Sequence, residues 1–117
     1  MREQKVWGER WQIRRDTASE TTFLDLNAGF RCSWHRHITK YNLFVVLRGR
    51  IKLIVEEMEK RAVIELRAGE TFQTRPGQWH EFQVVEDSMV IEVMYVEYDE
   101  GDIERENQGG TTDEKKN

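Results

Sequence analysis

The sequence of 117 residues is poor in cysteine and proline, with one of each, and it has no long hydrophobic run. A single cysteine, Cys32, excludes an internal disulfide, so we expect a reducing, cytoplasmic setting. No stretch of about 18 apolar residues is present, which argues against a membrane partner. The first residues, MREQKVWGER, lack the apolar segment of a secretion signal. The net charge of −4 argues against a nucleic-acid partner, which usually meets a basic surface.

The eight glycines lie between short runs rich in valine, isoleucine and aromatic residues. These runs alternate apolar and polar residues, and none shows the longer apolar repeat of an amphipathic helix. We expect a solvated hairpin loop at residues 56–62 and turns at five further places: Gly29, Gly49, Gly69, Pro76-Gly77 and residues 86–88. The sequence therefore predicts an all-β sandwich or barrel.

The ends of the chain differ from its middle. We expect residues 1–20 to form an N-terminal extension, in which one added strand within residues 3–14 packs through Trp7 and Trp11. Residues 21–100 carry the barrel. Residues 101–117 are polar and bear glycine, so we expect a partly disordered tail.

Histidine is scarce, and two of the three histidines stand one residue apart in the stretch WHRHITKYN. In a strand, His35 and His37 would face the same side. The third, His80, follows the turn at Pro76-Gly77 on a distant strand. Three neutral imidazoles suit zinc, iron, nickel, copper or manganese, so a three-nitrogen metal site is one interpretation. Three half-buried or surface histidines without a ligand role are the other.

The spacing of residues around these histidines resembles the two motifs of the cupin family. Residues 29–49 are similar to G-x5-H-x-H-x3,4-E-x6-G, and residues 69–84 to G-x5-P-x-G-x2-H-x3-N. Seven positions agree: Gly29, His35, His37, Gly49, Gly69, Gly77 and His80. The resemblance implies a single-domain cupin, a double-stranded β-helix or jelly-roll barrel, commonly as a homodimer. It also implies that His35, His37 and His80 point inward as ligands of one divalent transition metal: zinc, iron, manganese or nickel.

Two flanking stretches resemble one subfamily, the cupin domain of type II mannose-6-phosphate isomerase. WGERWQI at residues 7–13 is similar to the subfamily's opening, and Ile91, Glu92 and Val93 are similar to its IEVQ strand. Asp102, Ile103 and Arg105 are similar to its closing stretch, whereas Gly110 stands where the subfamily has arginine. This resemblance implies a small-molecule ligand of the sugar-phosphate type.

Three residues depart from the cupin motifs, and one of them bears on the metal. Arg75 and Val84 stand for proline and asparagine, and Asn42 stands where the family has its glutamate ligand. Ser33 stands where the isomerase group has glutamine. An amide supplies only a dipole, whereas a carboxylate offsets the charge of the ion. Asn42 is therefore either a weak ligand or a hydrogen-bonding partner of the ligands.

Aldose–ketose isomerisation needs a base that moves a proton between adjacent carbons. Glu92 lies on a strand among apolar neighbours and is our candidate for that base, with a solvated strand face as the equal alternative. A phosphosugar also needs cationic groups, and Arg31 and Arg75 are the nearest to the motifs.

Strand alternation supplies the remaining expectations. Arg31 shares the parity of His35 and would line the mouth of the barrel, near Ser33. Phe44 shares the parity of Asn42, and Phe82 that of His80, so both would line the pocket. These four residues, Arg31, Ser33, Phe44 and Phe82, are our candidates for substrate binding. Cys32 alternates away from His35 and is expected to be a small buried hydrophobe.

Three functions remain open from the sequence. The first is a metal-dependent enzyme that acts on sugar phosphates or related carbohydrates. The second is another cupin metalloenzyme, such as a three-histidine dioxygenase. The third is a non-catalytic sugar-binding module that has lost the glutamate of the metal site.

Overall fold

The computed structural model of the protein describes residues 1–96, 101, 102, 104, 106, 108, 109, 111 and 112. These residues form seven β-strands and no helix, so the predicted all-β fold is confirmed. No helix that is long and apolar enough to span a membrane is found in this part of the chain. The strands are β1 (Arg2–Lys5), β2 (Gly8–Arg15), β3 (Ser19–Leu26), β4 (Tyr41–Glu57), β5 (Lys60–Arg67), β6 (Thr71–Thr74) and β7 (His80–Tyr95).

The N-terminal extension contains two strands, where the sequence predicted one. β1 and β2 form an antiparallel hairpin that turns at residues 6 and 7, and β2 then pairs with β3. Gly8 pairs with Leu26, and Trp11 pairs with Phe23. This edge of the sheet therefore continues directly into the barrel. Much of the predicted polar tail, residues 101–117, lies outside the described residues, as does Arg105 of the isomerase-like closing stretch.

The strands form a single antiparallel sheet in the order β1-β2-β3-β7-β4-β5, with β6 paired to β4. Two long strands, β4 and β7, pair with each other along almost their whole length. The first half of β4 also pairs with β6, and its second half pairs with β5. Because β4 pairs with β6 in its first half and with β5 in its second half, it joins these two short strands to β7 in one sheet.

The middle of this strand pair is irregular, and here two predicted turns are wrong. β4 continues through Gly49, and β7 continues through residues 86–88, but the register shifts between Val46 and Ile51. Gly49 has a φ of +92°, and a Cβ at this position would lie 2.8 Å from the Cα of Ser88 and closer still to its Oγ. Arg50 N donates to Ser88 Oγ at 3.0 Å. The glycine therefore permits a bulge and a close crossing within continuous strands.

The loop predicted at residues 56–62 is much shorter than expected. β4 ends at Glu57 and β5 begins at Lys60, and these two residues pair across the turn. The two turn residues, Met58 and Glu59, have φ angles of 49° and 65°. Positive φ at both central residues is the conformation that suits a two-residue hairpin turn.

The core lies on one face of the sheet because buried and exposed residues alternate along its strands. In β3, Leu24 and Leu26 are buried, whereas Phe23 is only partly buried. In β4, Asn42, Phe44 and Val46 are all buried. One polar side chain, Asn42, thus stands in line with two core residues, and this position is where the candidate site begins.

Candidate functional site

Three histidines from different parts of the chain lie together at one end of the core. His35 and His37 lie in the irregular segment between β3 and β4, and His80 is the first residue of β7. His35 and His80 form an isolated antiparallel bridge, with backbone N–O distances of 3.0 and 2.8 Å. Gly77 N donates to the carbonyl of His37 at 2.7 Å, which fixes the turn before His80 to the first pair. One ring nitrogen of each histidine lies within 4.8 Å of the others.

Backbone carbonyls orient two of the three rings. His35 Nδ1 lies 2.8 Å from the carbonyl oxygen of Ser33, and His80 Nδ1 lies 2.9 Å from that of Gln78. A carbonyl only accepts, so Nδ1 must carry the proton in both rings. The lone pair is then on Nε2, which is the atom left to bind a cation. Metal-binding histidines are commonly held in this way through their other ring nitrogen.

The surroundings favour the neutral form of two of these rings, His80 and His37. His80 is only 1% exposed, and burial lowers its pKa to about 4. Burial also lowers the pKa of His37, and its electrostatic interactions with His35 and Lys40 act in the same direction. Neutral imidazoles at physiological pH are what a transition metal requires. The donor set therefore fits one divalent transition metal ion.

Asn42 lies between the histidines and a carboxylate. Its Nδ2 is 3.4 Å from Nε2 of both His37 and His80, and it donates to Glu92 Oε2 at 3.1 Å. Its Oδ1 is buried and has no hydrogen-bond partner among the described residues. A cation bound by the imidazoles would favour the opposite amide orientation, with the unpartnered oxygen toward the ion. The orphaned oxygen is therefore a second feature that fits a metal here.

Glu92 supplies the carboxylate that position 42 lacks. Its strand neighbours in the sheet are Thr22 of β3 and Phe44 of β4, both fully buried. Burial raises the pKa of the Glu92 carboxyl, and the hydrogen bond from Asn42 opposes that rise. This partly buried carboxyl, held by Asn42 at the cavity that His35 and His37 also line, is a candidate for proton transfer.

His35, His37 and Glu92 line one cavity of about 240 Å³, called the histidine cavity below. His80 is not part of this lining, but one of its ring nitrogens lies within 4.8 Å of a ring nitrogen of each of the other two histidines. Part of the cavity wall is aromatic, because the rings of Trp7 and Phe82 meet edge-on with their centroids 5.3 Å apart. The full lining comprises Lys5, Trp7, Arg10, Leu24, Cys32, Ser33, His35, His37, Phe82, Glu92 and Met94.

The four residues predicted to bind substrate are divided by the structure. Ser33 and Phe82 line the histidine cavity. Phe44 lies in the core, with its ring edge-on to His80 at 6.0 Å, and does not reach the cavity wall. Arg31 is exposed and lines a separate shallow cavity beside Gly29. The predicted cationic partner Arg75 is paired with Glu57 at 2.9 Å, away from the histidines.

The expectation that Cys32 faces away from His35 is wrong, although the side chain is buried as predicted. Cys32 and His35 line the same cavity. The alternation argument fails because residues 31–37 form only isolated bridges at Arg31 and His35, not a regular strand. Phe82 N donates to Cys32 Sγ at 3.1 Å, and burial raises the pKa of the thiol to about 12. Cys32 is therefore an unreactive wall residue.

Sequence analysis missed the contribution of the N-terminal hairpin. Arg10 of β2 pairs with Leu24 of β3, so its side chain faces the core side of the sheet and lines the histidine cavity. The guanidinium binds Glu20 at 2.5 Å and Glu3 at 2.9 Å. A signal was present, because Gly8, Arg10 and Gln12 alternate along β2, but the partner strand was needed to show which face is inward.

A family model described as the cupin domain matches residues 22–97 of the chain. Among curated protein sequences, no significant match to this chain is found. Many solved structures match this chain. Those described below share little sequence identity with it, so they show a common fold and not a common function.

Several solved structures match over most of both chains, and two of them serve as examples. KdgF from a Halomonas species is 16% identical, with a TM-score of 0.71 over 82% of this chain and 86% of that one. An RmlC-like cupin from Shewanella frigidimarina is 16% identical, with a TM-score of 0.70 over 83% and 84%. Oxalate decarboxylase from Bacillus subtilis, which has Mn(II) centres, is 14% identical with a TM-score of 0.74. That match covers 82% of this chain but only 27% of the decarboxylase.

Proposed function

This chain belongs to the cupin family, and we propose that it is a metal-dependent enzyme that acts on a small carbohydrate, of which a sugar phosphate is the favoured example. One observation carries the proposal: three clustered histidines lie at a single cavity that two of them, His35 and His37, line together with the partly buried carboxylate of Glu92. His35, His37 and His80 would hold one divalent transition metal ion, which is zinc, iron, manganese or nickel. When bound, that ion supplies Lewis acidity toward a carbonyl or hydroxyl oxygen of the substrate.

Glu92 is the proposed base. It lines the same cavity as His35 and His37, and burial raises the pKa of its carboxyl, which makes this group a better proton acceptor. Asn42 donates to Oε2 of Glu92 at 3.1 Å and thereby fixes the direction of the carboxylate. This arrangement suits the movement of a proton between adjacent carbons of a hydroxy-carbonyl compound.

The cavity walls also suit a small carbohydrate. Trp7 and Phe82 provide aromatic surface for the C–H groups of a sugar, and Ser33 and Glu92 provide polar groups for its hydroxyls. The volume of about 240 Å³ admits a small molecule and excludes a polymer segment of any length.

Proton exchange at carbon tests this proposal. Metal-loaded protein is incubated in D₂O with aldose and ketose phosphates, and deuterium incorporation is followed by proton NMR. We expect incorporation at the carbon next to the carbonyl, its loss in Glu92→Gln with the metal retained, and no change in the surface control Glu59→Gln. Metal-loaded protein that exchanges no proton in any sugar phosphate would contradict the enzymatic proposal.

A second candidate is a non-catalytic sugar-binding module. The observation in its favour is that Asn42 presents its amide nitrogen, not a carboxylate, to His37 and His80. In that case, sugars would bind with the same affinity with and without metal, and the proton-exchange experiment would give no incorporation.

We further propose that the protein is a homodimer that forms through the outward face of its sheet. Trp11, Phe23, Ile91 and Val45 lie side by side across four strands, and Trp11 is 43% exposed. Such a row of apolar side chains is typical of surfaces that bind another protein. Light scattering on the wild type and on Phe23→Lys tests this, with a dimer expected for the first and a monomer for the second. A cytoplasmic location remains a prediction.

A further inference from the structure

A second cavity lies next to the histidine cavity and shares one wall with it. Its volume is about 310 Å³, and Met94 lines both cavities. The second cavity, called the cationic cavity below, is formed by the β2–β3 turn and by the residue that precedes β4. Its lining comprises Arg15, Asp16, Thr17, Ser19, Glu20, Lys40 and Met94.

The carboxylates of the cationic cavity already have partners. Asp16 Oδ1 accepts hydrogen bonds from the backbone N–H groups of Ala18 and Ser19, both at 2.8 Å, and Asp16 Oδ2 lies 2.8 Å from Arg14 Nη1. Glu20 is bound by Arg10 at 2.5 Å and by Gln12 at 2.6 Å. The negative charges of Asp16 and Glu20 are therefore largely compensated by groups other than Arg15 and Lys40, the two cations that line this cavity.

Those two cations, Arg15 and Lys40, have no ion-pair partner in the part of the chain that the structure describes. Both side chains are exposed at the rim. By contrast, Arg10 in the histidine cavity is bound by two carboxylates, and Lys5 lies 3.4 Å from Glu3. Although the protein is acidic overall, with a net charge of −4, two cations without an ion-pair partner among the described residues line this one cavity.

The cationic cavity adjoins the histidine cavity at Met94, which lines both. Met94 pairs with Asn42 across the β4–β7 ladder and with Glu20 across the β3–β7 ladder. Lys40 is three residues from His37, and its charge contributes to lowering the pKa of that imidazole. A substrate group in the cationic cavity would thus be one side chain away from the proposed metal.

We propose that Arg15 and Lys40 form the binding site for an oxyanion of the substrate, a phosphate monoester or a carboxylate, while the rest of the same molecule lies past Met94 at the histidines. This inference rests on the proposed function for the second half of the molecule. Binding of the oxyanion itself depends only on Arg15 and Lys40. It also assigns to Arg15 and Lys40 the role that the sequence suggested for Arg31 and Arg75.

Calorimetric titration of the full chain tests the proposal, in metal-free and metal-loaded form. The probes are D-fructose 6-phosphate, D-galacturonate, inorganic phosphate and neutral D-fructose. We expect Lys40→Ala and Arg15→Ala each to weaken binding of at least one anionic sugar about tenfold and to leave D-fructose unchanged. Lys40→Arg should retain most of the affinity. The matched surface controls Lys52→Ala and Arg48→Ala should bind like the wild type.

The probes distinguish the source of the anion. A tenfold loss confined to D-fructose 6-phosphate identifies a phosphate, and one confined to D-galacturonate identifies a carboxylate. If neither variant weakens either sugar more than its control does, the proposal is wrong. A protein that binds no metal but still loses phosphosugar affinity in Lys40→Ala would contradict the proposed enzymatic function and support the anion site.

Discussion

The two cavities that meet at Met94 handle charge in opposite ways. At the histidine cavity, burial favours the neutral form of His37 and His80, and the two cations that line the cavity, Lys5 and Arg10, are bound to carboxylates. In the cationic cavity the carboxylates have partners and two cations do not. Burial thus leaves nitrogen lone pairs free to bind a metal at the histidine cavity. At the cationic cavity, exposed cations without an ion-pair partner suit an anion. Perturbations should therefore affect the two cavities separately.

Removal of a metal ligand should give the largest effect and should affect only the histidine cavity. We expect His80→Ala to weaken metal affinity about a thousandfold, because it removes a direct donor, and loss of an outer partner alone costs 10–100-fold. Competition with a chromophoric chelator measures this. Binding of inorganic phosphate should be unchanged in the same variant. Equal losses for metal and phosphate would show that the two cavities are not independent.

Acid should destabilise the metal-free protein through the same buried rings. Burial lowers the pKa of His80 to about 4, whereas an unfolded histidine titrates near 6.5. Between these values the unfolded chain binds more protons, so stability is complete above about pH 6.5 and falls as the pH approaches about 4. His80 alone accounts for up to about 3 kcal/mol of unfolding free energy.

Urea unfolding in the presence of EDTA at pH 7, 5.5 and 4 measures this loss. The matched variant is His80→Gln, which cannot titrate and should show a smaller decrease. A metal-free wild type whose stability is the same at pH 7 and pH 4.5 would contradict the assignment of a buried neutral ring.

A carboxylate at position 42 should increase the difference between the two cavities, because it adds a negative charge beside His37 and His80. We expect Asn42→Glu to tighten metal binding about tenfold, because the new charge offsets that of the ion. The metal-free variant should be less stable, since the added carboxylate would lie against Glu92 in a buried site. Chelator competition and thermal unfolding measure the two effects, with Asn42→Gln as the neutral control. Unchanged or weaker metal retention would place residue 42 outside the coordination sphere.

Salt should produce the smallest effect and should act mainly on the cationic cavity. Raising the ionic strength from about 0.05 to 0.5 M should weaken D-fructose 6-phosphate binding about fivefold, because exposed charges are screened. Metal affinity should change less than twofold, because the ligands are neutral rings. Calorimetry at both salt concentrations measures each value. A stronger salt dependence for the metal than for the phosphosugar would reverse the comparison.

The sequence predicts those features that depend on spacing and local alternation. The resemblance to the cupin motifs predicts that His35, His37 and His80 lie close together, and in the structure the three rings do. The motif spacing was more informative than strand parity, because residues 31–37 are not a regular strand. The same irregularity explains the error for Cys32.

Features that depend on tertiary contacts could not be predicted in the same way. Arg10 reaches the histidine cavity only because β2 pairs with β3 in a register that places it opposite Leu24. Gly49 and residues 86–88 look like turns locally, but the pairing of β4 with β7 keeps both strands continuous through a bulge. Lys40 could not be identified as a candidate anion ligand from the sequence. Only the structure shows that the nearby carboxylates, Asp16 and Glu20, are bound by other arginines.

His35, His37 and His80 are proposed to form one metal site, and a titration with Co²⁺ tests this most directly. Metal-free protein at pH 7 is titrated while the visible absorption of the bound ion is recorded. We predict saturation at one equivalent in the wild type and no saturable signal in His80→Ala. A wild type that shows no saturable absorption, or saturates equally well without His80, would contradict the account.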